Sequence, residues 1–471
     1  MGTRSPIRLK FGVAPVTLYT KPADCGGSCF FCPKSEGLPN SYIENEDTEY
    51  AKDVNFSPER QLSRLLTHNL ANSMSNGDDI PLEIILLGGS FSALSREYRY
   101  DFVQRIYSFL LNAINVSETS FTARCSVLTV ESRPDQISSG EVDFLRHLGV
   151  SKVEIGVQHT CDEVLRKSGR NHLQQQTIEA TSLLKNSGFK VGYHVMLGLP
   201  GATLAKDITM LSQSLWYHQY YPDYLKIYPC ELLRNRQLQP QLYRLYDQKV
   251  WEPPSKNYCL KVLASSAPYI PQHVRISRIQ RQFAERDILK GVGSGLREKN
   301  QTPIIDIRYR EIGFRASNLL FELDARKLIC RYYVNVESYF FEVCYQEKDV
   351  LVAIARLTIG TKKIPILREI KVFGKAAPIG CYGQVQGMGL GSSLLLAVEN
   401  KLHASGYEWL YVNAAYGARS FFTKHGYVLN HNDYMEKKIS NDSQPYKSMN
   451  SLAIKLNFTL GRTEDFLDVS R

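Results

Sequence analysis

The sequence has no apolar run near the roughly 20 residues needed to cross a bilayer, no apolar signal core at its N-terminus and no terminal lipidation motif. Membrane anchoring is therefore not expected. Cysteine is sparse, with ten in 471 residues. That is far from the dense framework of a small secreted domain and implies a reducing, cytoplasmic setting. Internal repeats and low-complexity tracts are also missing, which sets solenoid and linker-dominated architectures aside. At 43% apolar residues the chain is too hydrophobic to be disordered and too long for one ordinary core, so two domains are expected. Lys and Arg outnumber Asp and Glu by 57 to 47, a net charge of +10. The excess suits an anionic partner such as nucleic acid or a nucleotide cofactor, and a merely basic surface fits equally well because the charge is spread along the whole chain.

Between residues 80 and 230 short β-rich runs alternate with amphipathic stretches. The runs are LEIILLGG at 82–89, SVLTVE at 126–131, KVEIGVQ at 152–158, FKVGYHVMLGLP at 189–200 and YLKIYP at 224–229. This spacing predicts an α/β fold, a parallel sheet with right-handed crossovers closed or partly closed into a barrel, with ligands at the C-terminal strand ends. Gly88, Gly89 and Ser90, then Glu131, Gln158 and the Leu199-Pro200-Gly201 turn, fall at or just after such ends. Residues 231–305 are irregular and read as the barrel's closing segment. A second βα pattern starts near 306, with FEVCY at 341–345, VLVAIARLTI at 350–359, REIKVFG at 368–374 and WLYVNAA at 409–415. The chain thus divides into 1–305, 306–440 and a C-terminal tail or packing arm at 441–471.

Cys25, Cys29 and Cys32 form a Cys-x3-Cys-x2-Cys triplet within CGGSCFFCP. Three thiolates cannot complete a four-iron cube, so one iron stays open. This pattern, N-terminal to a βα barrel, resembles the radical S-adenosylmethionine (SAM) enzymes, in which the open iron takes the amino and carboxylate groups of SAM. Gly26 and Gly27 let the backbone wrap the cluster, and Phe30 and Phe31 help keep water away. Three unrelated core cysteines, or a zinc site short of its fourth ligand, are the alternatives. Backbone carbonyls at Gly88-Gly89-Ser90 are suited to the SAM amino group, and Glu131 to a ribose hydroxyl. Cys125, Cys161, Cys230, Cys259, Cys330, Cys344 and Cys381 lack ligand spacing, and most are expected in cores.

Gln384, Gly387, Met388, Gly389, Leu390 and Gly391 belong to a glycine-rich turn that follows a strand and opens an apolar helix. Backbone N–H groups at such a helix start can bind a pyrophosphate. The Gln-x-x-Gly-x-Gly spacing resembles the acetyl-CoA loop of GNAT acetyltransferases, whereas a dinucleotide loop reads Gly-x-Gly-x-x-Gly. A ligand-free helix start is the alternative. On the GNAT reading, Glu369, Ile370, Lys371 and Val372 lie on the strand that pairs with the pantetheine arm, and Phe422 lies on the following helix.

A radical SAM barrel fused to a GNAT domain resembles the catalytic subunit of Elongator and the tRNA uridine(34) acetyltransferases. The likeness covers roughly residues 20–440 through ordered blocks, among them SYIENE, LLGGSFSALSREYR, VESRPD, KVEIGVQHTCDEVLRKSGRNH, RIQRQF and QVQGMGLG. It implies a [4Fe-4S] cluster on Cys25, Cys29 and Cys32, SAM and acetyl-CoA as cofactors, and a carboxymethyl precursor placed on C5 of wobble uridine 34. It implies that Gln158 and Lys226 join the cofactor-binding set, and that Elongator-type subunits or a second copy are partners. A splayed anticodon-loop base is the reachable target, since a uridine inside an A-form stem is not. Arg275, Arg278, Arg281, Arg297 and Lys226 are candidates for tRNA phosphate contacts. Phe421 and Phe422 stand where the family carries a tyrosine pair, and Pro81 stands where it carries a lysine, which removes polar groups from the acetyl-CoA half. Three other readings stay open: a divergent radical SAM enzyme with a binding-only GNAT domain, a protein lysine acetyltransferase using Glu369 as base, and a tRNA-binding scaffold.

Overall fold

The structure, a computed structural model, describes residues 13–69, 78–116, 119–280, 283–292, 295–315, 328–335, 338–345, 349–360, 363–374, 388–440 and 458–460. Seven parallel strands lie side by side in chain order: β1 (Ala14–Tyr19), β2 (Asp79–Leu87), β3 (Thr119–Ser132), β4 (Lys152–Gln158), β5 (Lys190–Leu197), β6 (Tyr224–Pro229) and β7 (Arg275–Ile279). The path ends at β1 and β7 without closing, so the sheet is a partial barrel.

Strand periodicity explains its interior. Successive side chains point to opposite faces, and one face of each strand is apolar: Leu82, Ile84 and Leu86 on β2, Val153, Ile155 and Val157 on β4, Val191, Tyr193 and Val195 on β5. These residues join one core beneath the helices. The other face carries Glu83, Glu131, Lys152, Glu154, His194 and Lys226, so the concave side of the sheet is charged. Sequence reading missed β1 and β7. The first is short and includes Pro15, and the second, RISRI, hides its buried Ile276 and Ile279 among arginines.

The second sheet contains β8 (Leu328–Asn335), β9 (Ser338–Tyr345), β10 (Val350–Ile359) and β11 (Pro365–Val372) as an antiparallel meander. Next to β11 runs β12 (Trp409–Val412) in parallel, followed across the sheet by β14 (Met435–Lys438) and β13 (Val428–Leu429). Helix Leu390–Ala404 packs on β10 and β11 through Leu394, Leu395, Val398 and Leu402. At the far edge β15 (Phe458–Leu460), from the segment expected as a tail, pairs in parallel with β8. One apolar core runs from Ala14 to Ile304 and a second from Ile307 to Ile439.

The second sheet abuts the N-terminal ends of the barrel strands. Arg368 reaches Asp223, just before β6, and donates to the Phe189 carbonyl at 3.2 Å. Arg356 donates to Glu369 at 2.8 Å and to the His273 carbonyl at 2.8 Å, while the Tyr224 hydroxyl donates to Glu369. Contact is close enough that a Cβ on Gly188 would meet Ile366 Cγ2 at 2.7 Å, and one on Gly417 would meet the Cys125 carbonyl at 2.6 Å.

Candidate functional site

The loop bearing Cys25, Cys29 and Cys32 follows β1 and crosses the C-terminal ends of the strands. It is tied down from several sides. Phe30 N–H donates to the Ser168 carbonyl at 3.0 Å, Asn171 Nδ2 to the Gly26 carbonyl at 2.8 Å, and Gln239 Nε2 to the Phe31 carbonyl at 2.8 Å. Gln136 Nε2 holds the Cys25 carbonyl at 3.2 Å and its Oε1 accepts from Ser90, so Ser90 reaches the loop through Gln136. Gly88 and Gly89 are needed for close approach: a Cβ on the first would overlap Thr20 Oγ1, and one on the second would meet the Asn40 carbonyl at 2.8 Å. Gly89 also has φ +75°, a region that favours glycine.

Beneath the loop lies a cavity of about 530 Å³, lined by all three cysteines with Gly89, Glu131, Gln158 and Lys226. Its volume falls in the range typical of cofactor sites, roughly 300–1,000 Å³. Gln158 has φ +66°, and its Oε1 is buried without a hydrogen-bond partner. Burial pushes the Cys32 thiol up to about 12 even against a hydrogen bond with Ser41, so this sulfur ionises readily only beside a bound cation. Among the described residues, the group of His, Cys, Asp and Glu ligand atoms lying within 4.8 Å of one another is Glu131, Glu154 and His194. The three cysteine sulfurs on one cavity wall match three irons of a four-iron cube and leave the fourth open.

Glu131, Glu154 and His194 form a charge network. Lys226 Nζ donates to Glu154 and sits 3.6 Å from Glu131, in the place a cation would take. His194 Nε2 lies 2.9 Å from Glu154, and the Tyr42 hydroxyl donates to Glu131 at 2.9 Å. Burial alone would raise the Glu154 carboxyl and lower Lys226, but their mutual attraction, with Lys152 added, holds Glu154 well below and Lys226 above its ordinary value. Lys152 continues the file inward, 2.9 Å from Glu154 and 3.0 Å from Glu83. Glu154 and His194 escaped sequence reading because period-2 alternation marks a face without marking which face holds a ligand, and Tyr42 escaped it because it lies in an irregular loop with no period at all.

The second sheet offers a separate feature. β11 and β12 pair at Ile366–Tyr411 and Leu367–Val412, after which β12 ends and β11 runs on to Val372, opening a wedge. Helix Leu390–Ala404 begins beside it, with Gly389 at φ +81° as its N-cap. Gln384 and Gly387 lie outside the described residues, as does Cys381. Met388 packs against the second core and Leu390 is buried within it. A Cβ on Gly391 would lie 3.7 Å from both Val372 and Phe421, so Phe421 faces the turn. Phe422 instead packs in the core against Tyr427. On β11, Ile370 and Val372 face that core, whereas Glu369 turns to Arg356 and Tyr224 and is not free to act as a base. Burial and then the nearby Arg275 push Lys371 down.

The candidate phosphate-binding arginines separate. Arg275 is bound to Glu311 at 2.9 Å, and Arg297 to Asp306 at 3.2 Å and the Ile276 carbonyl at 2.7 Å; both brace β7 from within. Arg278 and Lys226 line the cavity, and Arg281 lies outside the described residues. Apart from the triplet, the described cysteines are buried except for the half-buried Cys161.

Comparison with known proteins matches residues 21–211 to the Radical SAM superfamily. The chain is 30% identical to the tRNA uridine(34) acetyltransferase of Methanocaldococcus infernus, over 90% of this chain and 85% of that protein. It is 29% identical to Elongator complex protein 3 of Saccharomyces cerevisiae, over 92% of this chain and 84% of that one. Among solved structures, the Methanocaldococcus infernus Elp3 with an N-terminal deletion superposes with a TM-score of 0.74 at 26% identity, covering 91% of this chain and 100% of that one.

Proposed function

We propose that this chain, which belongs to the family of the tRNA uridine(34) acetyltransferases and Elongator complex protein 3, modifies C5 of the wobble uridine of tRNA with a SAM-derived radical and the acetyl group of acetyl-CoA. The observation that carries this reading is the cavity that gathers Cys25, Cys29 and Cys32 with Gly89, Glu131, Gln158 and Lys226 at the strand ends. A [4Fe-4S] cluster with SAM, when bound there, supplies a carbon-centred radical able to remove hydrogen from an unactivated methyl group.

The protein's own part is to bind, orient and exclude water. The three cysteines hold three irons, and Gly88 and Gly89 let the Asn40 segment lie close to the strand ends. Glu131, oriented by Tyr42, is the acceptor for a ribose hydroxyl, and the unpartnered Gln158 Oε1 is a second acceptor in the same wall. In the second sheet, the backbone of Glu369–Val372 beside the wedge, with the turn ending at Gly391, is the acetyl-CoA cradle. Phe421 supplies an apolar contact there without a hydroxyl. The assigned units are 1–305 for radical chemistry and 306–440 for acyl-CoA, with tRNA entering through an anticodon-loop base, and Elongator-type subunits or a second copy completing the assembly in the cytoplasm.

The test is mass spectrometry of tRNA nucleosides after anaerobic reaction of reconstituted protein with SAM and a one-electron reductant, with and without acetyl-CoA. A carboxymethyl-type uridine only when acetyl-CoA is present is expected. Product absent in both arms overturns the reading. Commitment of Glu369 to Arg356 and Tyr224 weighs against a lysine acetyltransferase, whereas the missing phenolic hydroxyls at Phe421 and Phe422 favour, as second reading, a GNAT unit that binds without turnover. Acetyl-CoA binding by calorimetry without acetyl-CoA-dependent product supports the second reading, and no acetyl-CoA binding at all removes both.

A further inference from the structure

Each sulfur of the triplet has a hydrogen-bonding neighbour. Arg170 Nη1 lies 3.1 Å from Cys29 Sγ, the Ser41 hydroxyl 3.1 Å from Cys32 Sγ, and Asn40 Nδ2 3.5 Å from Cys25 Sγ. An iron-bound thiolate carries no proton, so in a loaded site all three neighbours can only donate. Ser41 is held at φ +77°, a conformation serine rarely adopts, and its N–H donates to the Pro33 carbonyl at 3.1 Å. That backbone setting turns the hydroxyl toward Cys32.

Arg170 stands apart because it is charged and has no acid to answer it. Its Nη2 donates to the Gly156 carbonyl at 2.5 Å and to His172 Nδ1 at 3.0 Å, and its Nε is buried without a partner. Burial and then the Arg170 charge push His172 down to about 3, so the ring is neutral and accepts. Among the described residues no carboxylate pairs with the Arg170 guanidinium. Arg133, close to Gly27 on the same loop, differs in being neutralised by two bonds to Asp135, at 3.0 and 2.6 Å. The position of Arg170 is built: Gly169, at φ +73°, leaves no room for a Cβ, which would meet Phe30 at 2.6 Å, and the Arg170 N–H is held by the Leu165 carbonyl.

We propose that Arg170, with Ser41 and Asn40, sets the reduction equilibrium of the cluster, the thiolate-bearing cluster being the counter-charge that Arg170 otherwise lacks. This rests on the reading of Cys25, Cys29 and Cys32 as cluster ligands. Reduction transfers one electron from a low-potential one-electron carrier and takes the cube with its three thiolates from one net negative charge to two. No bond forms or breaks and no proton moves. A fixed cation and two donors at the sulfurs favour the more negative state, because charge-assisted hydrogen bonds to sulfur strengthen as its electron density rises.

The experiment is a redox titration of the anaerobically reconstituted full chain, followed by electron paramagnetic resonance without SAM, acetyl-CoA or tRNA, with iron and sulfide assayed on each sample. Arg170→Gln should lower the equilibrium constant for reduction about tenfold, which is 59 mV for a one-electron couple. Arg170→Lys, which keeps the charge, should stay within about threefold of wild type, and Ser41→Gly, which suits the backbone and removes the hydroxyl, should lie between the two. A fully loaded Arg170→Gln protein within twofold of wild type overturns the proposal, as does equal weakening in Arg170→Gln and Arg170→Lys. Loss of iron from both Arg170 variants makes the residue an assembly brace and also overturns it. Should only Arg170→Gln fail to load, near-wild-type Arg170→Lys with weakened Ser41→Gly supports the proposal, and any other order overturns it. A wild-type chain that takes up no iron would instead defeat the cluster reading itself.

Discussion

Gly89 joins a positive φ to a cluster loop packed against it, so it makes a sharp test at the level of single residues. Gly89→Ala should cost roughly 1–2 kcal/mol from the backbone alone and press on the Asn40 carbonyl, so reconstituted protein should retain less than half the iron of wild type. Full iron content would show that the loop shifts without harm. His172 gives a pH signature. Its folded value of about 3 lies below the ordinary 6.5, so the unfolded chain binds the extra proton between the two, and stability falls as pH drops from about 6.5 toward 3. His172→Gln should flatten that acid limb in urea midpoints; an unchanged slope would mean that the ring gains its proton without loss of the fold. Some of this was readable in advance and some was not. Cys25, Cys29 and Cys32 announce themselves by spacing, whereas Arg170, Asn40 and Ser41 have no spacing to read, since their relation to the sulfurs exists only once loop, strand and helix meet. Phe421 and Phe422 are adjacent in sequence and alike in type, yet only one faces the glycine turn. Phe422→Ala should therefore cost about 3–5 kcal/mol in urea unfolding, and Phe421→Ala clearly less.

Strands and helices were legible where one face is uniformly apolar. LEIILL, KVEIGV and KVGYHV carry alternation strong enough to fix both strand and face, and the charged residues between them are the inward ones. β7 failed as a signal because arginines interrupt its apolar positions: Arg275 answers Glu311, distant in sequence, and Arg278 lines the cavity. The same long-range pairing joins the two sheets. Asp223 lies between Arg368 and Arg356, which hold its carboxyl well below the usual range against the effect of burial. Asp223→Ala leaves two buried guanidinium groups short of their anion and should cost about 3–5 kcal/mol, read as a lower urea midpoint. A loss under 1 kcal/mol would show that the Asp223 ion pairs do not hold the two sheets together.

For the molecule as a whole, composition pointed to an anionic partner but could not say where it lands, since Arg275 and Arg297 face inward and contribute nothing to an outer basic surface. The sequence pattern changes near residue 306 and the second core begins at Ile307, while the way the halves meet had no signal in the sequence. The cysteine loop lies over the C-terminal strand ends, and the second sheet covers the N-terminal ends through Phe189, Asp223, Tyr224 and His273. Between them the lumen is crossed by Glu154, Lys152 and Glu83, with Lys152 Nζ 4.2 Å from the centre of the Tyr224 ring. Such a floor of paired charges is costly to open, so ligands do not enter the cavity through it. Whatever binds deepest must enter first and leave last. Order of addition then becomes a property of the architecture: tRNA placed on the protein beforehand should slow SAM binding in stopped-flow mixing, while SAM placed first should leave the rate of tRNA binding unchanged.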